Sequence, residues 1–106
     1  MASRFLNGID RNPNFSDQLI KLIPKTDIHC HLDGSIRLET LVDLAKEQNV
    51  SLPSYNLDEL RNTVFKECYT DLDDYLVPFQ YSSAVLRNAN ALERVAFEVA
   101  EDCYSE

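Results

Sequence analysis

A chain of 106 residues has room for one domain or part of one, and its 44% hydrophobic and 26% charged residues are ordinary for a globular fold. A formal net charge of −8, from 18 acidic and 10 basic residues, argues against a nucleic-acid partner, which would call for a basic face. No run approaches the ~20 apolar residues that cross a bilayer. Three scattered cysteines, odd in number and without a CxxC pair, do not form a disulfide framework; a cytoplasmic location is expected.

Residues 1–14 contain both glycine and proline without an apolar period and read as an irregular leader. Asn14 or Ser16 is placed to cap a short helix over Asp17–Ile23, with Leu19, Ile20 and Ile23 on one side and Pro24 ending it. Lys25–Cys30 reads as a strand, bounded by Pro24 and Gly34. The stretch Lys25-Thr26-Asp27-Ile28-His29-Cys30-His31-Leu32-Asp33-Gly34-Ser35 is then the centre of interest. Side chains two apart on a strand share a face, so His29 and His31 project together and Cys30 points the other way, as a small buried hydrophobe.

Ile36–Gln48 carries Leu38, Leu41, Val42 and Ala45 at helical spacing, with Asn49 as its stop. Val50–Tyr55, containing Pro53, is a loop. Asn56 opens another helix, with Glu59 three residues on as a capping-box partner and Leu57, Leu60 and Val64 as its buried stripe. Leu72, Tyr75, Leu76 and Phe79 repeat helical spacing, Pro78 kinks or ends that turn, and Gln80–Leu86 continues it. Asn90 with Glu93 is expected to cap the last helix, whose apolar face is Leu92, Val95, Ala96, Val99 and Cys103.

A histidine pair at a strand end, with an acid in the following loop, suits a metal-assisted hydrolase. Neutral imidazoles hold Zn²⁺ at ~2.0–2.1 Å, and a catalytic zinc keeps a position for water, whose pKa falls to ~7. Against this, His-x-His is a short pattern that arises often by chance; its position at a strand end, ahead of Asp-Gly-Ser and a helix, is what raises it above coincidence.

The run from Pro24 to Arg37 closely resembles the N-terminal signature of adenosine deaminases. Leu38-Glu39-Thr40-Leu41, the segment from Leu72 to Phe79, and Leu92-Glu93-Arg94-Val95-Ala96-Phe97-Glu98 continue the resemblance, which covers roughly residues 20–106. It implies an α/β fold, the N-terminal part of a TIM (β/α)₈ barrel with one barrel strand followed by helices, occupying residues 15–106 as an incomplete domain. It also implies hydrolysis of adenosine to inosine and ammonia by a zinc-activated water. His29 and His31 would be Zn²⁺ ligands, with His31 also close to the nucleoside. Asp33 would bind the ribose 5′-hydroxyl, and Leu72, Tyr75, Leu76 and Phe79 would form an apolar lid, although core packing explains that spacing as well. Asp33 favours a nucleoside: relatives acting on adenine tend to carry Glu there, and those acting on a methylated nucleotide tend to carry Asn, whereas Asp would repel a 5′-phosphate.

The family's third His, its metal-binding Asp and its general-acid Glu have no counterpart here, since His29 and His31 are the only histidines. The chain is therefore expected to carry only the first metal and substrate motif and to be inactive alone. The partners expected are a purine nucleoside, no nucleic acid, no membrane, and a complementary chain or a second copy across uncovered apolar faces. The rival readings are a non-catalytic helical remnant acting as an interaction module, and an adenine or other amidohydrolase-family deaminase.

Overall fold

The computed structural model describes residues 15–105, so the leader at 1–14 and the cap candidate Asn14 lie outside the described residues. The described chain contains five helices: α1 (Asp17–Leu22), α2 (Leu38–Gln48), α3 (Leu57–Thr63), α4 (Leu72–Val85) and α5 (Ala89–Ser105).

Their ends follow from side chains that satisfy the free backbone groups of a helix terminus. Ser16 Oγ accepts the Leu19 amide at 3.0 Å. Asn56 Oδ1 accepts the amides of Asp58 and Glu59, and Asp71 Oδ1 accepts that of Asp74. The box expected between Asn56 and Glu59 closes through an intermediary: the Asn56 amide donates to Ser54 Oγ, and Ser54 donates to Glu59 Oε2. Asn49 ends α2 in the left-handed region at φ 55°, and the Val50 amide reaches back to the Ala45 carbonyl at 2.8 Å, the 6→1 bond of a Schellman motif.

Three expectations about the helices need adjusting. α2 begins at Leu38 rather than Ile36, because Arg37 is still extended (ψ 140°). Pro78 neither ends nor divides α4, which runs on to Val85 with the proline buried inside it; the ring removes one amide from the ladder and packing holds the helix across the gap. α5 is capped by Asn88, whose Oδ1 accepts the Ala91 amide at 2.9 Å, so Asn90 lies within the first turn instead of before it.

The core is built on α2. Leu41, Leu44 and Ala45 pack with Val85 of α4 and with Ala91 and Val95 of α5, while Val42 packs with Leu60 and Val64 around α3. Polar ties reinforce these contacts. Gln48 Nε2 donates to the Val85 carbonyl at the end of α4, Thr40 Oγ1 donates to Glu98 Oε2 at 2.6 Å, and Arg94 bridges Asp43 and Glu98. On α5 the side bearing Ala91 and Val95 is buried and Val99 is half-buried, whereas Leu92, Ala96 and Cys103 are exposed together with Phe97 and Tyr104. The expected apolar face is thus only half covered, because α2 meets one edge of it.

The expected strand at Lys25–Cys30 is absent. Among the described residues no strand forms, and this segment is an exposed chain bending at Ile28 and His29. A strand exists by pairing its amides and carbonyls with a neighbour, and no neighbouring strand is present among the described residues. Cys30 is correspondingly exposed rather than buried, since there is no second sheet face for it to enter. Among the described residues no helix is long and apolar enough to cross a membrane.

These contacts separate core from surface. Leu41→Ala, at a fully buried position, is expected to cost ~2–5 kcal/mol, and Phe97→Ser, 70% exposed, to change stability by less than ~0.5 kcal/mol; denaturant midpoints of the two variants measure the difference.

Candidate functional site

The histidine motif holds its shape through short-range bonds. Asp27 Oδ1 accepts the His29 amide at 3.0 Å, which turns the chain just before the pair. Beyond it, the amides of Gly34 and Ser35 donate to the carbonyls of His31 and Leu32, and Ser35 Oγ donates to the His31 carbonyl at 2.7 Å. Cys30 Sγ lies 3.2 Å from Ser35 Oγ. An Asp-Gly-Ser sequence favours this kind of turn.

The two imidazoles come together without a sheet. Their rings stack with centroids 4.8 Å apart and 27° between planes, and the two Nε2 atoms are 2.8 Å apart, one donating to the other. Asp33 Oδ1 lies 3.8 Å from the other nitrogen of the His31 ring, too far for a hydrogen bond.

Two such nitrogens could serve as ligands of one metal ion; a tetrahedral ion with ligands at ~2.0–2.1 Å holds its nitrogens ~3.3 Å apart, wider than the 2.8 Å between this pair. Among the described residues no group of three His, Cys, Asp or Glu side chains assembles around a metal position.

A cavity of ≈490 Å³ lies against the pair, lined by His29, Cys30, His31, Leu32 and Asp33 and, across from them, by Ser83 of α4 and Leu86 just past its end. Sequence reasoning missed Ser83 and Leu86. They stand four and seven residues after Phe79, on one helical face, and that spacing is the signal that would have pointed to them. Of the four lid candidates, Phe79 is the one placed against the motif: a Cβ on Gly34 would stand 3.4 Å from its ring. Tyr75 meets Phe79 edge-on at 5.6 Å and Tyr69 at 5.2 Å, so an aromatic row runs back from the motif. Leu72, Leu76 and part of Tyr75 are exposed.

Two ion pairs fix the flanks. At the start of α4, Lys66 Nζ donates to both carboxylate oxygens of Asp74 at 2.8 Å, and Thr70 adds bonds from its amide and hydroxyl. The lysine bond, with that of the Thr70 amide, holds the Asp74 carboxyl below the usual carboxylate range. Just past the histidine turn, Arg37 Nε and Nη2 grip Asp102 on α5, the shortest contact being 2.6 Å, and Glu101 stands 3.7 Å away. That hydrogen bonding lowers the Asp102 pKa against the opposing effect of burial and raises that of Arg37.

The converging imidazole pair and the Asp-Gly turn stand together beside the cavity, just ahead of α2. Residues 24–106 match the sequence model of the family described as adenosine deaminase, and the chain belongs to that family. It is 46% identical over 99 residues to a probable adenosine deaminase of Dictyostelium discoideum, covering 92% of this chain and 13% of that protein. It is 46% identical over 85 residues to an adenosine deaminase of Vibrio vulnificus, covering 79% of this chain and 26% of the relative, and 45% identical over 84 residues to one of Clostridium botulinum, covering 77% and 25%. The chain thus spans about a quarter of the length of these bacterial relatives and less of the Dictyostelium one. No solved structure gives a significant match.

The Asp102 pairing has a pH signature. With its folded pKa lowered, Asp102 contributes stability above its unfolded value of ~3.9, and the contribution is lost as pH falls through the folded pKa, because the unfolded state then binds the extra proton. Asp102→Asn is therefore expected to be less stable than the parent at neutral pH and to show a shallower loss below pH ~4; urea melts across that range check it.

Proposed function

We propose that this chain is the opening segment of a zinc-dependent adenosine deaminase barrel, carrying two metal ligands and a ribose contact. The observation that carries the reading is the convergence of His29 and His31 at 2.8 Å beside a cavity that Asp33 also lines, in a chain whose relatives are named adenosine deaminases. Lys25–Cys30 is the proposed first barrel strand, formed when a neighbouring strand supplies its ladder, and residues 15–106 are the proposed domain segment. The proposed location is the cytoplasm.

Each residue then has a task. His29 and His31 present Nε2 to the metal. Zinc, when held there with ligands from the rest of a barrel, supplies activation of a water for attack on C6 of the purine. Asp33 accepts the ribose 5′-hydroxyl, and its charge excludes a 5′-phosphate. Phe79 closes over Gly34 at the mouth, with Leu72, Tyr75 and Leu76 extending an apolar lid that limits water. Ammonia leaves and inosine remains.

Transplanting residues 24–106 into the matching segment of the Vibrio vulnificus relative tests this directly. The chimera is expected to form inosine from adenosine, and His29→Ala within it to lose more than ~100-fold, beyond what a disturbed outer-shell partner costs. A folded, metal-loaded chimera without turnover would sink the proposal. Within the same chimera, Asp33→Asn is expected to lower kcat/KM for adenosine by ~10–100-fold, the worth of a charged hydrogen bond, and to leave 5′-deoxyadenosine far less affected.

The 106-residue polypeptide by itself presents only two imidazoles, and a catalytic zinc normally has three protein ligands. It is expected to hold zinc weakly as a monomer and to release no inosine; a coupled ammonia assay on the purified chain checks this, and turnover near that of an intact enzyme contradicts it.

A further inference from the structure

The two halves of α4 are held in different ways. Pro78, Ser82 and Val85 bury its second half. Pro78 has no amide, so the Asp74 carbonyl, four residues earlier, lacks the donor that would continue the helical ladder. The side chain of that same residue is the one that is clamped. Lys66 Nζ donates to both Asp74 carboxylate oxygens at 2.8 Å, and the Thr70 amide and hydroxyl donate to Oδ2 at 3.0 and 3.2 Å. Both partners of the ion pair are largely covered, at 29% and 25% exposure.

Lys66 also borders the aromatic row. Its Nζ lies 5.4 Å from the centre of the Tyr69 ring, within cation–π range. The Tyr69 hydroxyl reaches the Val64 carbonyl at 3.4 Å, and Val64 is buried with Val42 and Leu60. Tyr75, next to Asp74, meets Tyr69 on one side and Phe79 on the other, and the Phe79 ring faces Gly34. A continuous series of contacts therefore runs from the core around α3, through Lys66 and Asp74, to the turn that carries Asp33. We infer that Lys66 is a positioning residue: clamped on Asp74, it keeps Tyr75 behind the Phe79 ring and holds that ring over Gly34, where it tightens the grip on a nucleoside. The inference rests on the proposed function only for the nucleoside; the placement of Phe79 by Lys66 stands on the contacts alone.

Two measurements test it. The sequence contains only two glycines, so NMR of the 106-residue chain with labelled glycine and phenylalanine reads the contact directly. Cross-peaks between Gly34 and the Phe79 ring are expected in the parent and in Lys66→Arg, which keeps the charge and two donors. They are expected to vanish in Lys66→Met and in Asp74→Asn, with an unchanged circular dichroism spectrum. In the Vibrio vulnificus chimera, Lys66→Met is expected to raise KM for adenosine roughly 2–10-fold, the worth of one aromatic contact, with kcat and zinc content unchanged. Lys66→Met combined with Phe79→Ala is expected to be no worse than Phe79→Ala alone, because the first substitution acts through the second residue. Cross-peaks missing from the parent, or persisting in both variants, overturn the inference. So do losses that multiply in the double variant, or a fall in kcat or zinc content at constant KM. A folded, metal-loaded parent chimera without turnover removes the proposed function instead, and the cross-peaks then decide by themselves whether Lys66 places Phe79.

Discussion

Burial of one face of α2 is the constraint on which the rest of the structure depends. Leu41 and Ala45 have no exposed surface, and the residues around them meet three different helices: Leu44 in the cluster with Val85, Ala91 and Val95, and Val42 in the cluster with Leu60 and Val64. Apolar burial of this kind contributes roughly 1.5–3 kcal/mol for each fully covered large side chain. Exposed ion pairs such as Arg61–Glu39 add about 1 kcal/mol or less, so packing dominates. The histidine turn runs through Ile36 and Arg37 straight into this helix. Arg37, at its N-terminus, is gripped by Asp102 near the far end of α5. The loop with the candidate ligands has little packing of its own, and its orientation is set by the helix that follows it.

What was legible in the sequence divides according to the range of the interactions involved. The stripe on α2 announced itself because helical periodicity is satisfied within one element, and the roles of Ser16, Asn49 and Asn56 were legible for the same reason: each acts on amides or carbonyls a few residues away. The cap of α5 was misplaced by two residues because Asn88 and Asn90 are chemically identical and only Asn90 has an acid three residues later; the geometry nonetheless chose Asn88. At Pro78 the expected continuation of the helix holds as far as Val85, and the alternative that the proline ends it does not. A missing amide weakens a helix locally, but Pro78 is buried and its neighbours Ser82 and Val85 lie in the interior, so tertiary packing overrides the local penalty.

Among the described residues Lys25–Cys30 forms no strand and Cys30 is exposed, for a single reason. A helix closes its hydrogen bonds internally, whereas a strand is a property of two segments. The run from Lys25 to Cys30 has strand-compatible residues but, among the described residues, nothing to pair with. The histidine pair was nevertheless foreseen correctly as a pair, though by a route that does not operate here. Pleating was expected to align the rings; a bend fixed by the Asp27 carboxylate on the His29 amide brings them together instead. The far wall of the cavity, Ser83 and Leu86, was hidden because their spacing from Phe79 is a weak signal until the turn is seen to pack beside them.

The same division separates the two halves of the chemistry. What depends on neighbours in sequence is already formed: the converging Nε2 atoms, the turn at Asp33-Gly34 and the contact of Phe79 with Gly34. What depends on distant segments, a third ligand and a sheet beneath the pair, is not found among the described residues. Two imidazoles would leave half of a tetrahedral shell open, so the metal affinity proposed for the pair depends on segments that the motif itself does not encode.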